Sequence, residues 1–298
     1  MITSELMVLW AYYSLLGLAA LVAFGWCRFP DLTPDAAVVI GPAAFAAAIA
    51  VDEMPVIVAL VVGFVAGGLC GVTTALLNSV AKIPGFVASM VTAIASFTVF
   101  FEVQGDAKIM LDASDILFHG WSGDMSTHDA AKLEFALESV LCVILAGVTI
   151  AFLASTWWGI RFRCVGDNHH LATPLAFPVW AQRLCGLFLA NGSAGLAGCL
   201  LLSLMGFHSA PMFVTLYAVL TMSFGAGVWG HRLRASAALT VPLTGGFLVA
   251  LVHHVAIHAI DAPAHWLQGA LAVVSIIAFV LLRMRSEEGV IARVKFDR

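Results

Sequence analysis

The chain has 298 residues, 61% of them hydrophobic and only 11% charged, with a mean hydropathy of +1.00 and a formal net charge of −4. Soluble domains carry about 25% charged residues, so this composition excludes an ordinary water-soluble fold. The apolar runs are long and lack the two-residue alternation of barrel strands, which leaves an all-α, polytopic membrane protein of about nine transmembrane or re-entrant helices.

The opening MITSELMVLW has no basic stretch ahead of its apolar run, so residues 6–27 are expected to span the membrane rather than to be cleaved as a signal. Further spans are expected at 36–51, 55–81, 84–103, 133–156, 183–206, 212–230, 239–260 and 265–283. The second and seventh are short and rich in Gly, Ala or Pro, which is the composition of a broken or re-entrant element. A polar loop at about 104–132 carries ILFHGW and suits a short amphipathic element on the outer leaflet. A second polar island, about 157–183, separates the fifth and sixth spans. Residues 1–285 thus form one transmembrane domain, and 286–298 a short cytoplasmic tail.

Basic residues orient this chain. With the N-terminus outside and nine crossings, Arg28, Lys82, Arg161, Arg163, Arg183, Arg232, Arg234, Arg283, Arg285, Arg293, Lys295 and Arg298 all fall inside. Only Lys108 and Lys132 fall outside, so the cytoplasmic excess of Lys and Arg predicts an N-out, C-in topology. Small residues mark helix contacts: Gly63, Gly67 and Gly71 recur every fourth position in the third span, and Gly192, Gly195 and Gly198 occupy the sixth. Such spacing permits close backbone approach in lipid. The six cysteines lie in or beside apolar runs and suit small apolar fillers of helix contacts.

Chemistry is sparse. No Gly-Lys pair exists, so the phosphate-gripping Walker pattern is absent, and no Ser/His/Asp or HExxH arrangement occurs. Glu102, Glu134 and Glu138 fall near outer ends of spans, leaving the central thirds nearly free of acids; an ion-driven carrier commonly buries carboxylates there. Asn78 and Asn191 are polar residues inside spans, suited either to lining a solute path or to bonding between helices. His254 and His258 stand one helical turn apart with His253 beside them, a spacing that can ligate a transition metal or simply sit at the interface on water and backbone. In the island, Trp157 and Trp158 suit the aromatic belt, and Gly166, Asp167 and Asn168 make a break and helix cap before a short surface helix that Pro178 ends.

The run Thr156, Gly159, Phe162, Arg163, Gly166, Asp167, Asn168 and Ala172 resembles the signature loop of ATP-binding-cassette permeases of the branched-chain amino acid and ribose type, and in particular the tryptophan/tyrosine transport permease group. Similar matches follow in order: Phe29, Asp31, Leu32, Thr33 and Asp35 before the second span; Ile83, Gly85, Ala88, Ser89, Met90 and Thr92 opening the fourth; and Gly186, Leu187, Leu189, Asn191, Gly192 and Ala194 to Gly198 in the sixth. The resemblance covers residues 6–283. It implies a non-catalytic subunit in a bacterial inner membrane, whose 157–183 loop forms a coupling helix docking on a cytoplasmic ATPase through Arg161, Arg163, Gly166, Asp167, Asn168 and Ala172. It further implies ATP and Mg on that partner with no cofactor here, a second permease copy or relative, a periplasmic solute-binding protein, no nucleic acid, and an amino-acid-like solute. Asn78, Ser89, Thr92 and Asn191 are candidate pathway residues. Ala36, Cys164, the pair Gly230-His231 and the stretch 207–211 depart from the family pattern, the last near the outer end of the path, where solute choice resides. Two alternatives stay open: an ion-driven secondary transporter, and a metal transporter built on His253, His254 and His258.

Overall fold

Long apolar runs become helices because lipid offers the backbone no other partner. The computed structural model describes residues 2–50, 54–104, 127–157, 159–161, 179–205, 214–229, 240–260 and 273. Helix α1 (Ile2–Ala20) widens into a π-helical turn, Leu21–Trp26. It is followed by α2 (Pro34–Ala50), α3 (Val56–Ser79), α4 (Gly85–Gln104), α5 (Thr127–Ser155), α6 (Val179–Met205), α7 (Val214–Trp229) and α8 (Thr240–Ile260). These agree with the first eight expected spans. The expected ninth span and the tail lie outside the described residues, apart from Val273.

One boundary differs. The polar segment expected to run to residue 132 is helical from Thr127, because Ala130, Ala131, Leu133 and Glu134 are strong helix formers that extend α5 beyond its apolar part. Residues 105–126 of that loop lie outside the described residues.

Three stretches are long and apolar enough to cross a membrane, Leu6–Trp26, Val56–Ser79 and Val179–Leu202, and the other described helices are shorter in their apolar parts. Helices α3 and α6 pack antiparallel along their glycines: Gly71 lies on Leu187, Gly67 on Asn191 and Gly195, and Gly63 on Cys199. The same close approach joins α1, α7 and α8, with Gly17 against Thr221 and Pro242, Gly225 against Val241, Gly245 against Thr221, and Gly246 against Ser14. The pairs Tyr13–Tyr217 and Gly17–Thr221 run in step, so α1 and α7 are parallel, as two odd-numbered crossings must be. Outward-facing Ile57, Val61 and Leu69 on α3, Ile94 on α4 and Phe152 on α5 form the apolar face that meets lipid.

Candidate functional site

The densest polar constellation inside the bundle begins where α1 ends. After the π turn, the amides of Cys27 and Phe29 bond back to the carbonyls of Val22 and Ala23 (2.9 and 3.0 Å), and Arg28 takes a left-handed φ of 47°. That reversal sends residues 27–33 back into the bundle instead of out along the membrane surface. Asp31 and Thr33 end fully buried, beside the middle of the 27-residue α6.

Asp31 Oδ1 accepts the backbone N–H of Thr33 (2.9 Å), and Oδ2 accepts Nδ2 of Asn191 (2.8 Å). The same Nδ2 also donates to the carbonyl of Leu187 (3.0 Å). Thr92 on α4 donates to Ala88 O (3.0 Å), Thr74 on α3 donates to Thr92 (2.9 Å), and this leaves Thr33 to donate to Thr74 (2.7 Å). Each hydroxyl has one hydrogen, so the chain runs in a single direction from the 27–33 connection through α3 to α4. One turn on, Asp35 Oδ1 accepts the backbone N–H (2.8 Å) and hydroxyl (3.3 Å) of Thr215 in the first turn of α7. The first described turn of α7 therefore packs against the start of α2.

Asn78 ties the opposite end of this seam. Its Oδ1 accepts Nη1 of Arg183 at the start of α6 (3.0 Å), while its Nδ2 donates to Ile83 O (2.8 Å) in the turn where Lys82 has a φ of 58°. One amide thus joins the α3–α4 turn to the helix that leaves the 157–183 island. Asn78→Leu is expected to loosen this junction by about 1–3 kcal/mol, since a charged donor loses its acceptor. A thermal melt of the detergent-purified chain checks it, and Asn78→Asp, which keeps the acceptor, is expected to recover most of the loss.

The four candidate pathway residues are all on helices that meet at this seam. Asn191, Thr92 and Asn78 bond as above, and Ser89 donates to Phe86 O (2.9 Å) within α4. Of the island's coupling residues, Arg161 is described: its guanidinium carbon lies 5.1 Å from the ring centre of Trp157, a cation–π contact at the end of α5. Arg163, Gly166, Asp167, Asn168 and Ala172 lie outside the described residues.

Among the described residues no group of three or more His, Cys, Asp or Glu is placed to hold a metal ion. His253 Nδ1 is hydrogen-bonded to the hydroxyl of Tyr13, and Tyr13 also stacks against Tyr12 and Tyr217. His253 thus fastens α8 to α1, and buried His254 faces away from lipid. The side chain of His258 lies outside the described residues.

Asp31 and Asp35 were missed as interior acids. The sequence offers them only as members of a motif ahead of the second span, with no sign of their place inside the bundle. The available signal was the short second span, with two acids flanking Pro34 at its start.

A family model described as branched-chain amino acid transport system / permease component matches residues 2–282, a range that includes every described residue. The chain belongs to this permease family. The family's description is that of a permease component of a transport system. A tyrosine transport system permease protein of Clostridioides difficile (strain R20291) is 24% identical over 200 residues, covering 67% of this chain and 63% of that relative's length. An uncharacterised protein of Rickettsia prowazekii (strain Madrid E) is 24% identical over 71% of this chain and 70% of that one. Among solved structures, an inward-facing metal-chelate type ABC transporter superposes with a TM-score of 0.57 at 17% identity, over 94% of this chain and 85% of the other. PsaBC from Streptococcus pneumoniae, in complex with Fab, superposes with a TM-score of 0.50 at 11% identity, over 94% and 89%. Both superpositions bear on the permease fold.

Proposed function

We propose that this permease is the membrane-spanning subunit of an ATP-binding-cassette importer for a small, amino-acid-like solute. The observation that carries the reading is the family match across residues 2–282. The relative in tyrosine transport supports the solute class. In this reading the chain lies N-out, C-in in a bacterial inner membrane, and pairs with a second copy or a relative. A periplasmic binding protein delivers solute from outside.

Two cytoplasmic ATPase subunits dock on the 157–183 island through Arg161, Arg163, Gly166, Asp167, Asn168 and Ala172. ATP and Mg belong to those partners. Nucleotide binding closes the ATPase pair and moves the island, biasing the bundle between two access states. The junction of Arg183 with Asn78 and Ile83 gives that motion a route into the α3–α4 turn. Asn78, Ser89, Thr92 and Asn191 stand beside the pathway along the seam between α3, α4 and α6.

The test is uptake of radiolabelled amino acids by proteoliposomes holding the purified chain, its co-purifying ATPase and a binding protein. Arg163→Glu or Gly166→Pro is expected to abolish ATPase association and reduce uptake at least tenfold while membrane insertion persists. Normal uptake by both variants with ATPase bound would remove the coupling assignment. Uptake that needs a proton or sodium gradient and no ATPase would replace the importer with an ion-driven carrier. Labelling of residues 157–183 by an impermeant reagent from outside intact cells would reverse the orientation.

A further inference from the structure

The importer cycle just described makes no use of a cavity of about 350 Å³ between α3, α5 and α6. Helix α5 lies along α1, and α3 lies along α6, so α3 and α5 form opposite walls with α6 behind them. On α5 the lining positions are Leu141, Leu145 and Thr149 with their neighbours Cys142, Ala146 and Ile150, one helix face repeated over successive turns. The cavity is therefore a slot that runs along the helix axes. At 1.5 Å per residue it extends for about 14 Å, roughly half the depth of a bilayer's hydrocarbon core.

Burial gives the slot a floor and a mouth. Leu60 and Cys142 are buried against the bundle, whereas Ile57, Val61 and Leu145 are more than half exposed. Ile57 and Val61 belong to the apolar face that meets lipid, so the slot is continuous with that face. Phe64 is not free to close it. Its ring stands edge-on to Phe188 at 5.7 Å and fills the space left by Gly192, where a Cβ would lie 2.6 Å from it.

The lining has little use for water. The hydroxyls of Thr149 and Ser193 donate within their own helices, to the carbonyls of Leu145 (2.8 Å) and Leu189 (2.9 Å). The Cys142 thiol packs as a small apolar group. The other described lining residues are aliphatic, apart from Phe64. An apolar cavity of about 150 Å³ already stays dry and admits benzene. Left void, the walls forgo dispersion contacts along the whole slot, and hydrocarbon stands at its mouth. A helix of a second copy is too bulky to enter: it is about 10–12 Å across, and such a length of it needs about three times this volume. The occupant that fits is thin, elongated and apolar.

We propose that the slot binds one acyl chain of a bilayer phospholipid, drawn in sideways from the membrane. The acyl chain lies along the helix axes, fills the space between α3 and α5, and packs on α6. It thereby supports α5, the helix that leads into the 157–183 island. This requires only that the bundle lie in lipid, and it goes beyond the importer reading.

Photo-crosslinking of the purified full chain in lipid nanodiscs tests it with no ATPase or solute present, so its outcome is separable from that of the importer reading. The probe is a phosphatidylcholine with a diazirine midway along one acyl chain. In the wild type, mass spectrometry is expected to find adducts at Leu60 and Cys142 on the floor as well as at outward-facing Phe152. Ala146→Phe places a ring in the slot and is expected to abolish the floor adducts while those at Phe152 persist. Thr149→Phe obstructs the slot from an exposed position that the fold tolerates, and the same loss is expected. A wild type labelled at Phe152 but not on the floor overturns the proposal, as do floor adducts that survive both substitutions. Floor labelling in single copies but not in dimers assigns the slot to side chains of a second copy, and overturns it too.

Discussion

Gly67→Leu is expected to disrupt the bundle, while Gly147→Leu is expected to leave it intact. A Cβ at position 67 would lie 2.8 Å from the carbonyl oxygen of Asn191 and 2.9 Å from the Cα of Gly195. Both are backbone atoms of α6, and neither can rotate out of the way. Helices α3 and α6 must then separate, breaking the bond between Asn191 and Asp31 beside the contact. Overpacking of a tight contact costs about 1–3 kcal/mol and more where backbone is the obstacle, so about 3 kcal/mol or more is expected here. At Gly147 on α5, an added Cβ meets no described atom within 4 Å, and an effect within about 0.5 kcal/mol is expected. Melting curves from size-exclusion chromatography of a fluorescent fusion compare the two. For a chain of this size, the first should lose about 6–12 °C. Equal melting of Gly67→Leu and the wild type would dispose of the α3–α6 seam as described.

Asp35→Lys is the second substitution with a large expected effect. The carboxylate accepts two donors from Thr215 in the first turn of α7, and the backbone of Val214 bonds to it as well. Lysine withdraws the acceptor, strands a buried N–H, and sets a positive charge against the positive end of a helix. About 3–5 kcal/mol is expected, the usual penalty for breaking a buried charged contact from one side. Asp35→Asn keeps an oxygen for the Thr215 N–H and is expected to lose only about 1 kcal/mol. The chain's yield and monodispersity in mild detergent, read for both variants, decide the matter. If Lys and Asn behave alike, charge at the start of α7 has no part in holding it.

Much of the architecture was legible because lipid imposes a simple rule. An apolar run of sufficient length becomes a helix, and the run ends gave α3 and α6 closely. The glycine ladder 63–67–71 likewise pointed to a close helix contact, and it lies where α3 meets α6. Less legible was what the polar residues do. Asn191 showed its polarity in the sequence but not its partner, because Asp31 is 160 residues away. Asp31 and Asp35 stood in the sequence only as part of a motif before the second span, and sequence order cannot register a chain that doubles back after a π turn. The start of α5 was misplaced for a related reason: hydropathy marks where lipid ends, whereas helix propensity continues through Asp129 and Lys132. For the histidines, local spacing carried no sign that His253 bonds to Tyr13, 240 residues earlier.

The distances along the chain between partners have a bearing on biogenesis. Asp31 waits for Asn191, and Asp35 waits for Thr215, 180 residues later. During synthesis the first two helices therefore emerge before these later partners of their acids exist, and lipid alone is a poor host for a carboxylate. The amino-terminal portion must remain at the insertion machinery, or under the care of a membrane chaperone, until the sixth and seventh helices have been made. Truncations that stop before Asn191 should accordingly be degraded rather than accumulate as stable fragments.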